Sequence, residues 1–88
     1  MEDLIVTIEG SSKGPLKAKR TLNEEDGDEF LIFENSNNYV SEGKSIADAI
    51  FLDLNGATQV EISTHDKSLG LYSLHNASSD RLVLIKIA

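Results

Sequence analysis

The chain has 88 residues, 40% of them hydrophobic and 26% charged, with no cysteine and a formal net charge of −7. That length allows one core, burying about 60 to 65% of the surface an unfolded chain exposes, and the composition is too apolar for a disordered segment. The missing cysteine excludes disulfide frameworks, thiol catalysis and cysteine-ligated zinc, and the acidic balance opposes non-specific binding to nucleic acid or anionic membrane. No apolar run approaches the roughly 20 residues that span a bilayer. The acidic start, Met1-Glu2-Asp3, has the wrong sign for a secretory leader. A cytoplasmic protein, complete as written and forming a single domain over residues 1–88, is expected.

In chain order, Leu4, Val6 and Ile8 alternate as a first strand, and the turn residues Gly10 to Pro15 reverse the chain. Leu16, Ala18 and Leu22 share one parity, with Lys17, Lys19 and Thr21 on the other, the pattern of a strand with one wet face. Arg20 falls on the apolar parity, where its stem can follow the core edge while the guanidinium stays in water. Phe30 to Phe33 is apolar on both parities and reads as a strand at the centre of a sheet or covered on both faces. Asn35 to Asn38 is a turn by composition, and Tyr39 and Val40 begin a further short strand.

Helix signals follow. Ser45 is placed as an N-cap with Asp48 three residues on, and Ile46, Ala47, Ile50, Phe51 and Leu54 fall within about 140° of one another, a stripe wide enough to lie on a sheet. Asn55-Gly56 suits a helix C-terminus, yet it is also a strong hairpin signal that would make Ile50 to Leu54 a strand. The helix is preferred because Ala47, Asp48 and Ala49 are poor strand residues. Val60, Ile62 and Thr64 then alternate as a half-buried strand. Leu71 to His75 is a short strand between turns at 65–70 and 76–80, and Arg81 to Ile87 closes the chain with apolar residues on both faces. Left at an open edge, that last strand would be a pairing hazard, so it is expected to be central, or covered by the helix and by a partner or loop. The expected fold class is α+β: a mainly antiparallel sheet of five to six strands with one helix, at about residues 45–55, packed on one face.

The charge is unevenly placed. Residues 23–66 hold eleven carboxylates against Lys44 alone, and five of the six residues from Glu24 to Glu29 are acidic. Such density keeps a segment solvated by mutual repulsion, so a plain soluble loop competes with an anionic binding face. Lys17, Lys19 and Arg20 flank the same turn and are expected to pair with it internally rather than bind nucleic acid.

Chemistry is harder to find. His65 and His75 with Asp66 and Asp80 offer metal-ligand types at an unpersuasive spacing, without three ligands and a base. Ser73 and His75 lie two apart on a strand, about 7 Å between Cα atoms, too far for a nucleophile and its base. Gly10-Ser11-Ser12-Lys13-Gly14 leads to a strand rather than to a helix N-terminus, so it is no phosphate loop. No enzymatic activity, cofactor or metal is therefore expected. The expectation is a small interaction protein whose Glu24, Glu25, Asp26, Asp28, Glu29 and Glu34 meet a basic site on a larger protein. Its narrower form is an inhibitor presenting carboxylates where nucleic-acid phosphates would lie. The alternative is a structural subunit, monomer or homodimer, that self-associates through an edge strand or the C-terminal strand.

Overall fold

A computed structural model describes residues 2–11, 14–38, 46–53 and 58–88. Among the described residues there are six strands: β1 (Glu2–Ile8), β2 (Leu16–Leu22), β3 (Glu29–Glu34), β4 (Gln59–Ser63), β5 (Ser68–Ala77) and β6 (Arg81–Lys86). Between β3 and β4 come a 3-10 turn (Asn35–Asn37) and the helix α1 (Ile46–Asp53). The expected cap at Ser45, the strand at Tyr39 and Val40, and the helix end at Asn55-Gly56 lie outside the described residues.

The α+β class is corrected here. The strands close into an antiparallel barrel in the order β1-β2-β3-β6-β5-β4, with β4 returning to β1. Among the described residues helical structure amounts to one turn of three residues and one helix of eight, and the closed barrel presents no open sheet face for that helix to cover. The barrel consists of two three-stranded meanders, β1-β2-β3 and β4-β5-β6, joined twice: β3 pairs with β6 and β1 pairs with β4. The first junction is five residue pairs long, from Phe30↔Ile85 to Glu34↔Arg81. The second is only Thr7↔Ser63 and Ile8↔Ile62, extended by the Glu9 amide donating to the Glu61 carbonyl at 3.0 Å.

Period-two alternation supplies the core. Val6, Ile8, Leu16, Ala18, Leu31, Phe33, Val60, Ile62, Tyr72, Leu82 and Leu84 are all buried within the barrel. Burying each large apolar side chain contributes about 1.5 to 3 kcal/mol. α1 connects β3 to β4 at the barrel end where β3 stops and β6 begins. Its first amide, on Ile46, donates to Asn35 Oδ1 at 3.0 Å, and Ile46 and Ile50 join the same buried cluster. Asn35 also donates its own amide to the Asp80 carbonyl, which ties the 3-10 turn to the start of β6. The opposite end of the barrel carries the β2–β3 and β4–β5 turns. β6, expected to be central in an open sheet or covered on both faces, is instead a stave of the closed barrel, paired on one side with β3 and on the other with β5.

Two further differences from the sequence reading have local causes. β5 runs to Ala77 rather than stopping at His75, because the register against β6 shifts between Leu74 and Asn76 and the extra residue is absorbed in a bulge. The bulge brings the His75 ring to 5.1 Å from that of Phe30 on β3. β5 also begins earlier, at Ser68, because Gly70 takes a φ of +117° that lets the strand pass close to the chain's last residue, Ala88.

Candidate functional site

The β2–β3 turn at the end opposite α1 is built from its own side chains. The Asn23 amide donates to the Asp28 carbonyl at 2.7 Å, and the Gly27 amide to the Asn23 carbonyl at 2.8 Å. Asn23 Oδ1 accepts from the Glu25 amide and Asp26 Oδ1 from the Asp28 amide, while Asn23 Nδ2 donates to Asp26 Oδ2. Gly27 takes a φ of +76°, the left-handed conformation that allows so tight a reversal. The result fixes Glu24, Glu25, Asp26 and Asp28 on one turn, the first three exposed and Asp28 half-buried. Among the described residues none of these four carboxylates is in an ion pair, although Arg20 makes two elsewhere.

Glu29 and Glu34 are placed apart from that turn. Glu29 shares the inward parity of Leu31 and Phe33 and its side chain is only 12% exposed. Its Oε1 accepts from Arg20 Nη2 at 3.0 Å, and its Oε2 accepts a hydrogen bond from the hydroxyl of the fully buried Tyr72. Arg20 reaches on to Glu2 Oε1 at 3.5 Å. Burial alone would push the Glu29 carboxyl up, but the bonds from Tyr72 and Arg20 and the Arg20 charge outweigh it, so the net shift is downward. Burial, then the bond to Glu29, raises Tyr72 far above the ordinary phenol range, so its hydroxyl remains a donor at physiological pH. These groups form a polar closure of the barrel mouth. Glu34 ends β3 at the far end of the barrel, about 17 Å along the strand from Glu29.

The sequence reading treated Glu29 as one more solvated carboxylate. The signal against that was available in the alternation itself: Arg20 continues the inward set Leu16 and Ala18, and Glu29 heads the inward set Leu31 and Phe33. Two opposite charges on inward parities of adjacent strands are placed to meet. Of the basic residues flanking the turn, Arg20 pairs internally as expected, with Glu29.

A second group of carboxylates lies at the β1–β4 junction. Glu9 and Glu61 face each other there, and Glu9, as hydrogen-bond partner and as a like charge, pushes the Glu61 carboxyl up. A groove of about 360 Å³ runs over the outer face of the first meander, lined by Asp3, Ile5, Lys17, Lys19, Ile32 and Asn37 among others.

The remaining candidates for chemistry stay separate. His65 lies on the β4–β5 turn and His75 on the β5 bulge, and among the described residues no three His, Asp or Glu side chains group to hold a metal. Asp80 accepts from the Ser78 hydroxyl at 2.9 Å within the β5–β6 turn, and no hydrogen bond links it to His75 or His75 to Ser73 among the described residues. No helix among those residues is long and apolar enough to cross a membrane. Comparison with family models, curated proteins and solved structures gave no match to this chain.

Proposed function

We propose that this is a non-enzymatic interaction protein that docks its β2–β3 turn into a basic site on a larger protein. The observation that carries the reading is the fixed projection of Glu24, Glu25, Asp26 and Asp28, held by the hydrogen bonds of Asn23 and Asp26 and without a basic partner among the described residues. A turn whose backbone is already ordered loses little conformational entropy on binding, and desolvating its charges is repaid only by a cationic surface. Glu34 lies farther away than the roughly 10 Å over which charges communicate at 0.1 M salt, so it belongs to a different surface. Glu29 serves the barrel mouth instead.

If the basic site is a nucleic-acid groove, the turn stands in for only a short stretch of phosphates. Duplex DNA carries about one charge per 1.7 Å of axis, so four carboxylates match about 7 Å, or two base pairs. The reading therefore favours a compact knob over a long mimic of the duplex. Reversing Glu24, Glu25 and Asp28 to lysine tests it. Association with the partner falls at least tenfold with the far-ultraviolet circular dichroism unchanged, and wild-type binding weakens steeply between low and high salt. Binding indifferent to both changes removes the proposal.

A further inference from the structure

β1 changes partners along its length, and this leaves part of it with one neighbour. Glu2 to Val6 pair with β2 from Glu2↔Arg20 to Val6↔Leu16, whereas only Thr7 and Ile8 also pair with β4. Which backbone groups point away from β2 follows from two independent bonds. The Glu9 amide donates to the Glu61 carbonyl across the β1–β4 junction, so the odd-numbered residues of β1 turn their N–H and C=O groups to that side. On the neighbouring strand, the Lys17 amide and carbonyl are bound by Asn38, on the side away from β1, so the even residues Leu16, Ala18 and Arg20 bond the even residues of β1. The two assignments agree. The amides and carbonyls of Asp3 and Ile5 therefore face outward along an edge that no other described strand occupies.

We propose that this edge is a strand-addition site whose occupant is the same edge of a second copy of the chain. Antiparallel pairing about a two-fold axis at Leu4 sets Asp3 opposite Ile5 of the second copy, and Ile5 opposite its Asp3. Both are hydrogen-bonded pairs, so the four outward groups of each copy are satisfied by those of the other, and Leu4 meets Leu4 between them. The charges fit the same register. Across the β1–β2 pair Lys17 neighbours Ile5 and Lys19 neighbours Asp3, so each Asp3, besides its own Lys19, comes two strand spacings, about 10 Å, from Lys17 of the opposite copy, within reach of that long side chain on the same face.

An acidic residue on an edge normally guards against arbitrary pairing. Here the self-pair brings the guard one further lysine beyond its own Lys19, and a neutral or acidic strand brings none. The edge is also reachable: Ile5 is 56% exposed, and the outer groove runs along Asp3, Leu4 and Ile5. This surface is distinct from the acidic turn, so the two proposals stand or fall separately.

The test uses the full chain. Sedimentation of the wild type from about 10 to 500 µM shows a monomer passing to a dimer. Ile5→Pro removes only an outward N–H, which an edge position tolerates, and the variant stays monomeric throughout with unchanged circular dichroism. The chain has no cysteine, so Leu4→Cys cross-links to itself under mild oxidation. Ile5→Cys does not, because two such residues, each one position from the axis, lie beyond the roughly 7 Å limit between Cα atoms of a disulfide. A wild type that is monomeric throughout, a dimer that survives Ile5→Pro, or cross-linking at Ile5 but not at Leu4 overturns the proposal. The cross-linking arm decides the matter even if the proline variant fails to fold.

Discussion

Tyr72 sits where the core meets the charge. Its ring is buried among the barrel's apolar side chains while its hydroxyl holds Glu29, which in turn holds Arg20. Tyr72→Phe keeps the packing and leaves the enclosed Glu29 carboxylate one donor short, a loss of about 1 to 3 kcal/mol measured by urea denaturation. Because the Glu29 carboxyl is shifted down on folding, its stabilisation is present above the unfolded carboxylate value of about 4.3 and disappears as pH falls through the folded value. Tyr72→Phe therefore loses less on acidification than the wild type. Gly70 is the other sensitive position. Its φ of +117° disfavours any L side chain, and an added Cβ meets the carbonyl oxygen of Ala88. Gly70→Ala is expected to cost about 1 to 3 kcal/mol, seen as a lower denaturation midpoint. The close approach to Ala88, eighteen positions away, was not legible in the sequence.

At the scale of elements, the alternating strands could be read from their own residues, and so could the helix between the two meanders. Closure could not. It rests on Thr7↔Ser63 and Ile8↔Ile62, two pairs between segments more than fifty residues apart, with no local pattern to announce them. An amphipathic helix beside a set of strands reads equally well as a cover for an open sheet or as an end-piece for a barrel. The short junction is also where like charges meet. Glu61 is shifted up on folding, so the protonated form is favoured in the folded state, and stability is lost as pH rises through the folded value. Glu61→Gln is expected to raise the thermal midpoint at neutral pH and to have little effect in acid, where the Glu61 carboxyl is already protonated. Pairing of β6 on both sides has a simpler consequence. Deleting residues 84–88 strips the pairing of two neighbours and removes the buried Leu84, and the shortened chain is expected to show no cooperative unfolding transition.

For the whole molecule, the acidic stretch evident in the sequence divides in three. The turn from Glu24 to Asp28 projects from one end of the barrel, Glu29 turns inward, and Glu34 ends its strand at the other end. Strand parity held the signal for the turning of Glu29, which the sequence reading missed, whereas the distance of Glu34 from the turn follows from β3 crossing the barrel between its two ends. The most direct test compares two variants that change net charge equally, Glu24→Lys with Glu25→Lys, and Glu9→Lys with Glu34→Lys, in capture from the source cell at low and high salt. The account predicts a partner retained at low salt by the wild type and by the second variant, lost by the first, and released from all by high salt. Equal retention by the two variants would contradict it.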